Sequence, residues 1–283
     1  MSPPRYRMLA LDVDGTLLDH RGVLLPSTKA AVARAAAAGV RPILCTGRRY
    51  RRAWPIADEL GIDAPIVCNS GAIVKEPADD RTLWRADLEP DLAHALLGLF
   101  HRHGRDVVAF NDRPHDQPDF RVSRHPTGDP YFDDYVEQNR SHAEITSDWA
   151  SGPFFHVCAV GPRDEMLALQ DVVLASFGAR VRTFVQRSPR YRGTMCEVIS
   201  RDAGKWSAVL HVAEQWGIAP EEICAVGDDV NDAPMIHGAG LGAAMGHAPP
   251  EVLALADLIL PDHENDGVSA LVDRLLADLE HDS

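Results

Sequence analysis

The sequence lacks long apolar runs, and this shortage argues against an integral membrane protein. The longest candidate, residues 30–40, is interrupted by Arg34 and falls short of the roughly 18 residues that a membrane span needs. The apolar run at 8–11 ends at Asp12, so it is too short and too soon charged to act as a signal peptide. We therefore expect a cytoplasmic protein without a membrane partner.

Cysteine is also scarce, and its arrangement excludes two kinds of small scaffold. The five cysteines are odd in number and include no Cys-x-x-Cys pair, so neither a disulfide framework nor a zinc knuckle is indicated. Cys45 and Cys68, for example, follow apolar stretches, which is typical of small core residues on strands in a reducing compartment. The five are Cys45, Cys68, Cys158, Cys196 and Cys224.

Positive charge is scarce in the last third of the chain. Residues 1–196 carry 25 basic and 25 acidic side chains, whereas residues 197–283 carry 3 and 17, which accounts for the net charge of −14. Such an acidic surface repels phosphodiester backbones, so we expect no nucleic-acid partner. Most of these carboxylates belong on a solvated face, and only a few are candidates for a cation site.

Both ends of the chain alternate between short apolar runs and helical patterns of 10–15 residues. This alternation predicts βαβ units in a doubly wound parallel α/β sheet, a Rossmann-like core built from residues 1–84 and 190–283. Strands are predicted at 7–12, 40–46, 65–68, 222–226, 240–245 and 258–260. Helices are predicted at 27–38, 48–60, 205–216, 231–237 and 268–279.

The middle of the chain has a different character. Residues 85–189 contain no lysine and include irregular stretches, with strands predicted at 154–160 and 180–187 and helices at 90–103 and 163–176. We interpret this segment as an α+β domain inserted into the core.

Polar side chains follow several of the predicted strands in the core. Ligands of an open parallel sheet bind outside the carboxyl ends of its strands, so these side chains should converge if the strands are neighbours. Carboxylates brought together in this way repel one another unless a cation joins them, and oxygen ligands without nearby Cys or His suit Mg²⁺. The converging residues are Asp12, Asp14, Thr46, Asp228 and Asp232.

Lysine is the scarcest charged residue, with three lysines among the 28 basic residues. Lys205 therefore stands out, because it begins a predicted helix and is the only lysine after residue 75. A compact ammonium on a flexible stem suits a phosphate or a carboxylate among many acids. The alternative is a chance surface lysine.

These residues together resemble the motifs of the haloacid dehalogenase superfamily, the aspartate-nucleophile phosphohydrolases. Residues 12–17, Asp-Val-Asp-Gly-Thr-Leu, resemble the first motif of that superfamily, and residues 46–48, Thr-Gly-Arg, resemble the second. Lys205 resembles the third motif, and residues 227–232, Gly-Asp-Asp-Val-Asn-Asp, resemble the fourth. Further residues are similar to those of the Cof-like branch of the superfamily, which carries a large α/β cap: they are residues 69–72, Glu197 and residues 265–268. The resemblance covers the core and implies that 85–189 is the cap.

The resemblance implies a Mg²⁺-dependent phosphatase acting on a small phosphorylated metabolite, such as a sugar phosphate or a phosphorylated cofactor. Asp12 would form an aspartyl phosphate, and Asp14 would protonate the leaving oxygen and then accept a proton from water. The metal ligands would be Asp12, the Asp14 backbone carbonyl and Asp228, with Asp232 as a further ligand or a support. The substrate-binding residues would be Thr46, Gly47, Arg48, Lys205 and Asn231.

Each role has a structural alternative. Thr46 and Asn231 could cap the helices that follow them, and Asp232 could favour the dipole of its helix. Two other functions also remain open: a phosphomutase on the same core, and a non-catalytic phospho-accepting or binding module. A long inserted cap favours an enzyme that shields its site from water.

Overall fold

The computed structural model describes residues 4–114, 116–149, 152–187 and 190–281. Within these ranges the chain forms strands and α-helices that divide between two compact units, Met1–Trp84 with Gly204–Ser283, and Arg85–Ala203. The strands are β1 (Met8–Leu11), β2 (Arg41–Leu44), β3 (Ile66–Cys68), β4 (Ile73–Lys75), β5 (Thr82–Arg85), β6 (Val108–Phe110), β7 (Phe120–Val122), β8 (Ala143–Ile145), β9 (His156–Gly161), β10 (Val181–Gln186), β11 (Thr194–Ser200), β12 (Ile223–Gly227), β13 (Leu241–Met245) and β14 (Leu258–Leu260). The helices are α1 (Pro26–Ala37), α2 (Tyr50–Leu60), α3 (Pro90–Arg102), α4 (Pro130–Gln138), α5 (Arg163–Phe177), α6 (Lys205–Gln215), α7 (Ala233–Gly238), α8 (Pro250–Leu253) and α9 (Gly267–His281).

The first unit is built on a five-stranded parallel sheet with the order β14-β13-β12-β1-β2. All four residues of β1 are buried, as expected for an interior strand of a sheet covered on both faces. Leu11 lies opposite Val226 on one side and Leu44 on the other, so the loops after β12, β1 and β2 leave the same edge. The strand order reverses beside β1, which is where open sheets bind ligands.

The third predicted strand does not join this sheet. β3 pairs antiparallel with β4 in a separate three-stranded sheet with β5, and a parallel bridge between Cys45 and Val67 connects it to the end of β2. A tight turn at Asn69–Gly71 reverses the chain between β3 and β4. Gly71 has φ +85°, and a Cβ there would lie 2.1 Å from the Gly204 carbonyl carbon, so the turn requires glycine.

The second unit contains a six-stranded sheet with the order β10-β11-β9-β6-β7-β8. Side chains of α3, α5 and the strands form one apolar core that includes Leu96, Phe100, Val157 and Met166. The sequence predicts the second junction at 189/190, and residue 189 lies outside the described residues. The compact unit extends to Ala203, because β11 pairs with both β10 and β9 along its length.

The expected fold class, a parallel α/β sheet with a separate α+β insertion, is confirmed. All five cysteines are buried, four within strands and Cys45 directly after β2, which confirms their prediction as small core residues. Among the described residues, none of the helices combines the length and the apolar character needed to cross a bilayer.

Candidate active site

Asp12 occupies the centre of the loop edge, directly after β1. Its backbone N–H donates to the Val226 carbonyl at 3.0 Å, which continues the β1–β12 ladder, and its side chain is buried. The Oδ1 atom accepts a hydrogen bond from Lys205 Nζ at 2.6 Å. The Oδ2 atom is buried and has no hydrogen-bond donor in the part of the chain that the structure describes. Asp12 therefore has one oxygen held and one oxygen available.

Lys205 is the first residue of α6 and is almost completely buried, with 1% of its surface exposed. A cation at a helix N-terminus is disfavoured by the helix dipole, so its position needs another explanation. Its Nζ donates to Asp12 Oδ1 and to Asp232 Oδ1, each at 2.6 Å. Burial lowers the pKa of Lys205, but the two carboxylates outweigh burial and raise the pKa above its ordinary value. The chance surface lysine is therefore excluded.

Asp232 lies at the end of the loop between β12 and α7, and it anchors that loop. Its Oδ2 atom accepts hydrogen bonds from the backbone N–H groups of Asp228 and Asp229, both at 3.1 Å. Its carboxylate makes no capping hydrogen bond to α7, although it occupies the N-cap position. A Cβ on Gly227 would lie 2.4 Å from the Asp232 carboxyl carbon, so glycine leaves room for this arrangement.

We use the name acid–lysine cluster for the group formed by Asp12, Lys205, Asp228 and Asp232. One carboxylate oxygen from each of the three acids lies within 4.8 Å of the other two. Burial and the Asp232 carboxylate raise the pKa of Asp228 to about 7, and the same two causes raise the pKa of Asp12 against the opposing effect of Lys205. When all three carboxylates are ionised, they and the one ammonium leave two negative charges. This balance and the all-oxygen donor set fit a divalent cation such as Mg²⁺.

The turn after Asp12 brings the backbone against Asp228. Gly15 has φ +87°, and a Cβ there would lie 2.3 Å from Asp228 Oδ2, so both the backbone conformation and the space require glycine. Thr16 Oγ1 donates to Asp228 Oδ1 at 3.3 Å, and His247 Nε2 lies 3.4 Å from Asp228 Oδ2. The motif resemblance could indicate Thr16, but nothing in the sequence indicated His247.

Asp14 and Arg48 form a two-pronged ion pair. Arg48 Nε donates to Asp14 Oδ2 at 2.7 Å and Nη2 donates to Asp14 Oδ1 at 2.6 Å. The pair connects the loops after β1 and β2, and the Asp14 side chain keeps 41% of its surface exposed. The family resemblance implies a catalytic role for Asp14 and a substrate-binding role for Arg48, but it does not predict that the two residues pair with each other.

The remaining predicted residues lie on the same loops. Thr46 is buried, and its Oγ1 accepts a hydrogen bond from the Arg48 N–H at 3.1 Å across Gly47. Thr46 does not cap helix α2, because that helix begins later and has Arg49 as its N-cap. Asn231 is also buried, and its Oδ1 atom has no hydrogen-bond donor among the described residues. Asp12 and Asn231 thus each present an unsatisfied buried oxygen, which is uncommon in a folded protein.

Comparison with known proteins identifies the family. The sequence model of the haloacid dehalogenase-like hydrolase family matches residues 9–272 of this chain. Pyridoxal phosphate phosphatase YbhA of Escherichia coli (strain K12) is 28% identical over 94% of this chain and 97% of its own length. The HMP-PP phosphatase of Serratia proteamaculans (strain 568) is 30% identical over 88% of this chain and 87% of its own length.

The fold agrees with that of solved relatives. The crystal structure of a haloacid dehalogenase-like hydrolase from Bacteroides thetaiotaomicron has a TM-score of 0.77 at 22% identity, covering 95% of this chain and 99% of that chain. Together with the match over residues 9–272, these likenesses mean that the chain belongs to the haloacid dehalogenase-like hydrolase family.

Proposed function

We propose that the chain is a Mg²⁺-dependent phosphatase that releases phosphate from a small phosphorylated metabolite, a sugar phosphate or a phosphorylated cofactor, through a phosphoaspartate at Asp12. The acid–lysine cluster is the observation that carries the proposal, because three clustered carboxylates outnumber their one ammonium, and one buried carboxylate oxygen has no donor among the described residues. Two relatives named as phosphatases of pyridoxal phosphate and of HMP-PP support the substrate class.

Mg²⁺ would be held by the carboxylates of Asp12 and Asp228 and by the backbone carbonyl of Asp14. When bound, it supplies positive charge that offsets repulsion between Asp12 and a phosphate dianion. Asp232 would act as a support behind the ligands, because its Oδ1 already accepts from Lys205 and its Oδ2 from two backbone N–H groups.

Asp12 would perform the covalent step. Its carboxylate oxygen attacks phosphorus while the bond from phosphorus to the leaving oxygen breaks, and the leaving oxygen takes a proton from Asp14. Water then attacks the phosphoaspartate and gives its proton to Asp14, the bond from phosphorus to Asp12 breaks, and inorganic phosphate leaves. Lys205 keeps Asp12 Oδ1 fixed, which leaves the other oxygen to attack.

This scheme requires the Asp14–Arg48 pair to open. Arg48 holds both oxygens of Asp14 in the structure, so Asp14 cannot hand a proton to a leaving group while both hydrogen bonds persist. We propose that a bound phosphate draws the Arg48 guanidinium away, since that group binds phosphate oxygens through a planar fork. Thr46, Gly47, Lys205 and Asn231 would bind the remaining phosphoryl oxygens.

The second unit, Arg85–Ala203, is proposed as the cap that the sequence resemblance implies. Its separate apolar core supports a domain of its own. Substrate discrimination would depend on this unit.

The direct test of the proposed function is phosphate release from a panel of phosphorylated sugars and cofactors. We expect at least one to release inorganic phosphate with Mg²⁺, and the rate to fall by about 10²-fold or more in excess chelator, because a Lewis-acid cation contributes several kcal/mol. Adding back Mg²⁺ should restore the rate, whereas Ca²⁺ should do so poorly because it prefers more ligands and longer bonds. Full turnover in chelator would contradict the proposal, and transfer without free phosphate would indicate a mutase instead.

Lys205→Met should lower kcat by about 10²–10³-fold, or about 2.7–4 kcal/mol, by analogy with the loss of one oxyanion donor. The variant also leaves Asp12 and Asp232 buried without their cation, so unfolding should be compared at saturating Mg²⁺. Lys205→Arg should rescue poorly because a planar fork does not occupy the ammonium position. Lys29→Met, at an exposed lysine of α1, is the matched control and should keep full activity; near-normal kcat in Lys205→Met would reject this role.

A further inference from the structure

A second group of potential ligands lies on the first unit, separate from the acid–lysine cluster. His20 lies in the loop between β1 and α1, while His263 and Glu264 lie in a short turn, His263–Asn265, between β14 and α9. One ligand atom from each of the three side chains lies within 4.8 Å of the other two. His20 Nδ1 is in contact with Glu264 Oε1. We call these three residues the bis-histidine cluster.

Within the bis-histidine cluster, His263 stands out by the hydrogen bonding of its ring nitrogens. Both of its ring nitrogens are shielded from solvent, and neither has a hydrogen-bond partner among the described residues. Buried polar atoms almost always have a partner, so this ring lacks one that the described part of the chain does not provide. The neighbouring Asp262 makes no hydrogen bond to this ring, and its Oδ1 accepts instead from the N–H groups of Glu264 and Asn265 at 3.1 and 2.9 Å.

A simple ion pair does not account for the arrangement. If His20 were protonated, its contact with Glu264 would be a surface salt bridge, since 67% and 51% of the two side chains are exposed. Such pairs contribute little because water screens them. The ion pair would also leave both nitrogens of His263 unsatisfied.

The donor set indicates which ligand would bind one atom of each of the three side chains. Two imidazole nitrogens and one carboxylate oxygen are typical of Zn²⁺ sites that keep a fourth position for water, whereas Mg²⁺ takes oxygen ligands. We propose that the bis-histidine cluster binds one Zn²⁺ ion through a ring nitrogen of His20, a ring nitrogen of His263 and the carboxylate of Glu264. Water fills the remaining position.

Zinc at this place would join two segments that are 244 residues apart in sequence. His20 follows the turn that carries Asp12 and Asp14, and His263 packs edge-on against the ring of His247, with 4.7 Å between centroids. The ion would therefore fasten the loop after β1 to the turn before α9. The expected consequence is a more stable first unit, because a ligand that binds only the folded chain shifts unfolding to higher temperature.

The test is calorimetric titration of ZnCl₂ into the metal-stripped full chain at saturating Mg²⁺, which occupies the acid–lysine cluster. We expect one zinc ion per chain and a Tm increase of about 5 °C when free zinc exceeds the Kd by about a hundredfold. His20→Ala and Glu264→Gln should each weaken zinc binding at least about tenfold. Both side chains are exposed, so these variants should fold normally and keep Mg²⁺-dependent activity within about twofold.

Two controls separate this site from the other carboxylates and histidines. His101→Ala removes an exposed histidine of α3 and should leave zinc affinity unchanged. Asp228→Asn damages the acid–lysine cluster and should also leave the stoichiometry and affinity of zinc unchanged. Absence of zinc binding, or zinc binding that survives His20→Ala and Glu264→Gln but is lost in Asp228→Asn, would overturn the proposal. Because binding rather than turnover is measured, failure here would not count against the phosphatase activity.

Discussion

Asp12→Asn should abolish phosphate release from every substrate, with a loss in kcat of about 10⁴-fold or more, because an amide cannot form the phosphoaspartate. The change keeps the size of the side chain, and an amide oxygen can still accept from Lys205. We therefore expect the folded state to persist, and the Tm measured with and without Mg²⁺ should verify this. Rates are to be compared across alkyl and aryl phosphates, since loss of the nucleophile affects both alike.

Asp229→Asn is the matched control for that variant. Asp229 belongs to the same loop as Asp228, but its Oδ1 accepts from the Val230 N–H and it is not one of the three clustered acids. Its substitution should change kcat by less than about tenfold, as expected of a carboxylate that does not touch the reacting atoms. Comparable losses in Asp12→Asn and Asp229→Asn would mean that Asp12 acts only through charge.

Asp14→Asn should produce a loss that depends on the leaving group. A sugar alkoxide is a strong base that needs its proton in the transition state, whereas p-nitrophenolate is a weak base that hardly does. Proton transfer contributes about 10²–10⁴-fold, so kcat/KM for alkyl phosphates should fall by that factor and for p-nitrophenyl phosphate far less. The measurement must use kcat/KM, because kcat also includes hydrolysis of the phosphoaspartate, where Asp14 acts as base whatever group has left.

The Asp14→Asn variant also affects Arg48, because Arg48 loses the carboxylate with which it pairs. Arg48→Gln is therefore the companion variant. If Arg48 binds substrate phosphate, this change should raise KM for alkyl and aryl substrates by the same factor. Equal losses in kcat/KM for both substrate types in Asp14→Asn would assign Asp14 to positioning rather than to acid catalysis.

The sequence predicts which residues meet at the site better than it predicts which of them pair with one another. Asp12 and Asp228 follow adjacent parallel strands, so strand-end geometry alone predicts that they meet. The scarcity of lysine makes Lys205 conspicuous in the sequence. The Asp14–Arg48 pair could not be anticipated, because it depends on how two loops turn after leaving β1 and β2, and periodicity carries no information about loops.

Two elements that the sequence pattern does not predict have local explanations. The pattern of β11 includes a buried Glu197 within an otherwise apolar strand, and this polar interruption hid a strand that extends the second unit to Ala203. Helix α4 was missed although a start signal was present: Asp129 precedes Pro130 and caps the helix by accepting from the Tyr131 and Phe132 N–H groups. Aromatic and acidic residues within α4 weakened its helical pattern.

Strand β1, an interior strand of the parallel sheet, pairs with a strand that the ribosome makes much later. Met8 of β1 pairs with Ile223 of β12, about 215 residues further along, so at 5–20 residues per second the edge of β1 waits roughly 10–40 s for its neighbour. Arg85–Ala203 is continuous in sequence and has its own core, so it can fold during that interval. A chain arrested before residue 223 would carry Asp12 without Asp228 and an apolar strand with an open edge, which makes it a target for chaperones or aggregation.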